Sequence, residues 1–202
     1  MRYIKETYTS QLEVNKSKFI GILIPITSVE MIKEKIEELK VLHPKANHYT
    51  FACICGLHGE QQLASDDGEP QRTAGIPILE VLKHHDLTDV LAVVIRYFGG
   101  IKLGAGGLVR AYTKTIADTI KTVIFYQKKE VMIYSITLPY ALLDTFEFRY
   151  KEKVTVLEKL YQEHVTLKCR LNDCDLSIFD DIKHQLIEVK SLGSETLFVL
   201  EA

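Results

Sequence analysis

The segment LTDVLAVVIRYF (87–98) is apolar on both parities, with Val90, Ala92 and Val94 alternating with Leu91, Val93 and Ile95. Successive side chains of a strand point to opposite faces, so this strand has no face to offer water and must lie inside a sheet covered on both sides. Before it, IPILEVLKHH reads as a helix with Pro77 in the first turn, where a missing N–H costs least. After it, GLVRAYTKTIADTIKTVIF reads as a helix with Leu108, Tyr112, Ile116, Ile120 and Val123 on the buried side.

Upstream, residues 2–15 and 17–26 read as two strands joined at Asn15-Lys16. TSVEMIKEKIEELKVL is a helix in which Thr27 and Glu30 match a capping box and Val29, Ile32, Ile36 and Leu39 form one stripe. HYTFACICGL is a strand, and the polar run HGEQQLASDDGEPQRTAG is too rich in turn formers for a long element. A second unit begins near residue 131. There VMIYSITLPY, ALLDTFEFRYKEK, VTVLEKLYQ, HVTLKCRLN, DLSIFDDIKHQLIEVK and ETLFVLEA read in order as βαββαβ, the ferredoxin-like plan. The polar break Tyr126-Gln127-Lys128-Lys129 divides a domain over residues 1–127 from one over 131–202.

Charged residues make up 26% of the chain and hydrophobic ones 47%, the balance of a soluble globular protein. A net charge of −2 gives no global pull toward nucleic acid, so any such binding needs a local basic patch. No run of about 18 apolar residues exists to span a bilayer, and the N-terminus has no apolar signal core, which points to the cytoplasm and away from membranes. Four cysteines are too few for a disulfide scaffold in a chain of 202 residues. Cys53 and Cys55 share a strand face without a second pair at zinc spacing, so buried thiols are expected.

The glycine-rich turn RYFGGIKLGAGGLVRAY (96–112) fails both nucleotide fingerprints. Gly99 and Gly104 have the Walker A spacing, but Ala105-Gly106 stands where Lys-Ser/Thr belongs. A dinucleotide pattern begun at Gly104 and Gly106 breaks at Val109. No cofactor follows from either. What is left is a strand, a turn and a helix N-terminus, a place where free amides and the helix dipole favour anions, with Arg96, Lys102 and Arg110 adding charge. On the last helix of this unit Arg110, Lys114 and Lys121 fall on one outward stripe.

The second unusual stretch is SDDGEPQRTAG (65–75). Asp66, Asp67 and Glu69 are more acidic residues than a turn requires, and they have the chemistry to hold a magnesium ion or act as a general base. His48 opens a strand and shares a face with Thr50, Ala52 and Ile54. His84 and His85 are adjacent on a helix and point about 100° apart, a poor chelating pair.

Two long stretches, ASDDGEPQRTAGIPIL and VVIRYFGGIKLGAGGLVRAY, together with SKFIG and KANHYTFA, resemble the IMPACT family over about residues 1–125. The resemblance implies an α+β protein of two domains. The first would have the ribosomal protein S-five domain-two-like fold, akin to elongation factor G domain IV. The second would be ferredoxin-like, akin to elongation factor G domain V. It also implies a role around translation. Eukaryotic relatives regulate a starvation-responsive kinase through an extra N-terminal domain that this sequence lacks, so that partner does not carry over. The family pattern after Glu-Pro has Gly where this chain has Arg72, a bulky cation expected to reshape the loop or to add a phosphate contact.

The leading expectation is a non-enzymatic binding protein that touches the ribosome, RNA or a translation factor through Arg96, Lys102, Gly104, Gly106, Arg110, Lys114 and Lys121. The rival is a metal-assisted hydrolase or phosphoryl-handling enzyme built on Asp66, Asp67 and Glu69, with His48 assisting. A protein-interaction module docking through residues 131–202 is a third. Convergence of the polar groups in a concave pocket would favour chemistry over a convex binding face.

Overall fold

The structure, a computed structural model, describes residues 1–201. It is of mixed α and β type and divides into two units, Met1–Lys128 with the C-terminal end from Val199, and Lys129–Phe198.

In the first unit a five-stranded sheet runs in the order β1 (Tyr8–Val14), β2 (Ser17–Pro25), β5 (Val90–Tyr97), β3 (His48–Cys55), β4 (Gln61–Ser65). The β5 strand is central and pairs antiparallel with both β2 and β3. Its two parities serve two cores. Val90, Ala92 and Val94 pack with Ile78 and Leu82 of α2 (Gly75–His84) and with Leu108, Tyr112 and Ile116 of α3 (Gly104–Ile120). Leu91, Val93 and Ile95 pack on the other face against Ile32 and Leu39 of α1 (Met31–Leu42). The two-sided cover read from the sequence is therefore α1 below and α2 with α3 above.

Local details differ from the sequence reading for identifiable reasons. The Thr27–Glu30 capping box does not form: Glu30 is itself the N-cap, in helical conformation and without a side-chain cap bond, while the Thr27 N–H and hydroxyl lie against Met31 Sδ. The polar run after β3 holds the short edge strand β4, because Gln61–Ser65 finds backbone partners on β3. Gly99 is required by close approach, since a Cβ there would lie 2.0 Å from the Lys16 carbonyl carbon.

In the second unit a four-stranded sheet has the order β7 (Val154–Tyr161), β8 (Val165–Leu171), β6 (Tyr126–Leu138), β9 (Glu188–Leu200). Its core gathers Ile136, Leu138, Val165, Leu167 and Cys169 against Phe146 and Tyr150 of α4 (Tyr140–Tyr150). The helix expected over 175–190 is absent. In its place are two 3-10 turns, Leu176–Phe179 and Lys183–Gln185, and then the start of β9. Phe179 and Ile182, three apart, are the residues of this stretch that enter the core, a spacing that 3-10 turns satisfy. Asp175 accepts from the Ser177 N–H and caps the first turn.

The polar stretch 126–129 is the beginning of β6. Tyr126 and Tyr3 exchange backbone hydrogen bonds of 2.8 and 2.9 Å, and Lys128 Nζ reaches Asp89 at 2.7 Å. At the other end the Glu201 N–H donates to the Phe125 carbonyl, and its carboxylate accepts from Arg2 Nε at 2.6 Å. No helix among the described residues is long and apolar enough to cross a membrane.

Candidate functional site

Arg96, the last residue but one of β5, keeps the parity of Val90, Ala92 and Val94, so its guanidinium enters the core beneath α3. A charge there needs a partner. Glu69 supplies it: Arg96 Nη1 donates to Glu69 Oε1 at 2.5 Å, and the two side chains are 6% and 3% exposed. Tyr112, on the buried stripe of α3, donates its hydroxyl to the same oxygen at 2.6 Å. Burial first, and then the bond and charge of Glu69, push the Tyr112 phenol far above its ordinary value, so it remains a neutral donor. Phe19 closes the network from below, edge-on to Tyr112 and under the guanidinium. Arg96 Nη2 makes one long contact with Ser17 Oγ, 3.5 Å, and Arg96 Nε is buried without a partner.

The register of β3 on β5 sets His48 directly opposite Arg96. His48 Nδ1 lies 2.7 Å from the Asp67 carbonyl, which can only accept, so Nδ1 carries the proton. Nε2 is then the lone-pair nitrogen of the neutral ring, 4.0 Å from Glu69 Oε1.

The three acidic residues of the loop therefore part company. Asp66 accepts the N–H groups of Arg72, Ala74 and Gly75 at 2.7, 3.0 and 2.9 Å, and so caps α2 from a distance. Burial works against its ionisation, but those three bonds and the Arg72 charge outweigh it and hold its carboxyl below the usual range. Asp67 accepts the Tyr49 N–H at 2.5 Å. Only Glu69 faces the interior. Asp66 and Asp67 are thus loop braces, and among the described residues no group of three or more His, Cys, Asp or Glu side chains is arranged to hold a metal ion.

Above this network lies an open cavity of about 370 Å³, lined in part by His48, Glu69, Arg96, Phe98, Lys102 and Gly104. It fronts the N-terminus of α3, where Leu103 is the N-cap and no side chain caps the first-turn amides. Gly104 begins the helix at φ +69, a conformation that favours glycine, and a Cβ there would meet nothing. The acidic loop and the glycine turn are thus brought together, at Glu69 and Arg96.

The remaining basic residues separate. Arg96 is committed to Glu69. Lys102 and Arg110 are exposed, and neither makes an ion pair among the described residues. Arg110 and Lys114 line a different, smaller cleft with Val14 and Asn15. Lys114 and Lys121 both bond Asp118, at 2.8 and 2.7 Å, so one carboxylate partly offsets the charge of the stripe. Gly106 lies on exposed helix surface.

Arg72 adopts φ +62, the left-handed region, so the loop keeps the conformation a glycine would take. The guanidinium borders a separate apolar groove between α2 and α3 with Pro77, His84 and Val109. The thiols are structural: Cys53, Cys55 and Cys169 are buried and free, and burial pushes Cys55 up to about 12 and Cys169 to about 11.

Tyr112, Ser17 and Phe98 were not singled out from the sequence as site residues. The signal for Tyr112 was present, since a tyrosine on a fully buried helix stripe needs an acceptor for its hydroxyl.

Comparison with known proteins agrees with the motifs. Residues 15–120 match the model of the Impact N-terminal domain. The chain is 35% identical to IMPACT family member YvyE of Bacillus subtilis over 189 residues, 93% of this chain and 87% of the relative. It is 38% identical to IMPACT family member YigZ of Escherichia coli over 137 residues, 67% of each. A solved structure titled as a crystal structure of a hypothetical protein superposes with a TM-score of 0.62 at 30% identity, covering 96% of this chain and 97% of that one.

Proposed function

The chain belongs to the IMPACT family, and from that premise we propose that it is a translation-associated binding protein contacting ribosomal RNA or a translation factor. The observation that carries the contact surface is the pair Lys102 and Arg110, two exposed cations without acidic partners near the start of α3. In a chain of net charge −2, attraction to phosphate has to come from such a local set. Lys114 and Lys121 extend the set along the helix with Asp118 between them. The reading is also supported by the fold: the order β7-β8-β6-β9 sets the first strand of the second unit between its third and fourth. That strand order supports a ferredoxin-like second unit akin to elongation factor G domain V, and a first unit akin to domain IV belongs to the same reading.

The test is co-sedimentation of the intact protein with ribosomes at low and then high salt. Each phosphate contact contributes a log–log salt slope of about 0.7 on single strands, so the double reversal Lys102→Glu, Arg110→Glu removes roughly 1.4 from the slope and most of the affinity. An unchanged slope and pellet fraction in that variant would remove this surface from the function.

A further inference from the structure

The cavity over Glu69 presents acceptors and donors at the same time, which a simple anion site does not. Glu69 uses only Oε1 toward Arg96 and Tyr112, and Oε2 has no donor among the described residues although the side chain is 3% exposed. With Nδ1–H on the Asp67 carbonyl, the neutral His48 ring offers Nε2 as a second acceptor lining the cavity. The donors are Lys102 and the uncapped amides at the start of α3, and Arg96 Nε adds an unmet donor buried in the wall. Phe98, 46% exposed, stands on the rim.

A free phosphate would meet the Glu69 carboxylate as a like charge, and a neutral sugar would leave the helix amides and Lys102 unused. A ribose phosphate answers both needs, because its hydroxyls donate to carboxylate and imidazole while its phosphate accepts from amides and ammonium. The aromatic rim adds a platform for a base. The volume of about 370 Å³ is at the lower end of small-ligand pockets. We propose that this pocket binds one nucleoside monophosphate unit, with phosphate at the α3 N-terminus and Lys102, ribose hydroxyls on Glu69 and His48, and base against Phe98. The unit has two possible sources, a free nucleotide or one nucleotide of an RNA strand. The inference goes beyond the translation reading and does not depend on it.

Titration of the intact protein with AMP, ribose 5-phosphate, adenosine and inorganic phosphate, followed by calorimetry and amide chemical shifts, tests it. AMP is expected to bind saturably and to shift Phe98, Gly104 and Ala105, with the three fragments each weaker. Phe98→Ala should weaken AMP about tenfold to a hundredfold, the range of one base–aromatic stack, and leave ribose 5-phosphate unchanged. Lys102→Glu should weaken both. Phe98 and Lys102 are exposed, so neither change threatens folding, and Ala105→Leu, which fills the cavity mouth, gives a third probe. A short single-stranded RNA that displaces AMP identifies a strand as the source, and one that does not identifies the free nucleotide. Absence of saturable AMP binding, or AMP binding indifferent to all three variants, overturns the proposal. AMP binding in a protein that fails to sediment with ribosomes would sink the translation reading and leave the pocket standing.

Discussion

Two charged networks sit on opposite sides of α3. Inside, Arg96 and Glu69 pair at 2.5 Å with almost no solvent exposure and share their oxygen with Tyr112. Outside, Asp118 bonds both Lys114 and Lys121 at nearly the same distances, with the lysines 59% and 72% exposed. The hydrogen-bond geometry is similar and the energetics are not. In water an ion pair exchanges one set of solvating partners for another, and salt screens what remains. In the core, removal of one partner strands the other without water. The outer network is therefore replaceable surface, whereas the inner one obliges three distant segments, the 65–75 loop, the end of β5 and the first half of α3, to stay in register.

The sharpest way to break this contrast is to delete one carboxylate from each network. Glu69→Ala should destabilise the first unit by about 3–5 kcal/mol, because Arg96 is left buried and uncompensated. Asp118→Ala should cost no more than about 1 kcal/mol. Urea denaturation of both variants measures the difference, and comparable losses would mean that the inner pair has access to solvent.

Asp66 lies between these extremes, and pH reads it. Its folded carboxyl titrates below the usual range, so its contribution is fully present above the unfolded value of about 3.9 and is lost as pH falls through the lower folded value. Asp66→Asn should lower stability at neutral pH by an amount typical of a lost helix cap, about 1 kcal/mol, read from the denaturation midpoint, and narrow the gap to wild type under acid. A gap that stays constant down to strong acid would show that the carboxylate charge is not what holds the loop.

The smallest effect expected is at Arg72. A non-glycine residue at φ +62 carries some backbone strain. Arg72→Gly should therefore leave stability within about 1 kcal/mol of wild type, on the favourable side where relief of strain exceeds the added unfolded-state entropy. Arg72→Val should be clearly worse, because a β-branched residue resists that conformation. Thermal midpoints of the two variants order them. If valine were tolerated as well as glycine, the loop would be free to take another shape.

Much of the fold was legible because it rests on periodicity. The double-parity run of β5, the alternation of β8 and the buried stripe of α3 each declare their faces within a few residues. The 175–190 segment misled because apolar residues three apart fit a helix nearly as well as a 3-10 turn, and the competing pull of β9 pairing is invisible locally. The polar residues at 126–129 do mark where the two units divide, after Lys128, but they are strand rather than a break, and Lys128 is accommodated there because Asp89 from elsewhere in the chain receives it.

The candidate site was legible only as an inventory. The sequence by itself determined that Arg96 shares its parity with Val90, Ala92 and Val94, but read it as a cation for an outside anion; that its guanidinium is buried against Glu69 was decided by the fold. Among Asp66, Asp67 and Glu69 the sequence had no means of choosing. That choice was made by tertiary structure, through the pairing of His48 opposite Arg96 and the capture of Asp66 and Asp67 by backbone N–H groups of α2, its preceding loop and β3. Those partners lie up to 27 residues from Glu69 along the β-strand side and 43 along the helix side. Interactions over such separations depend on strand register and helix placement, which no local pattern of residue types encodes.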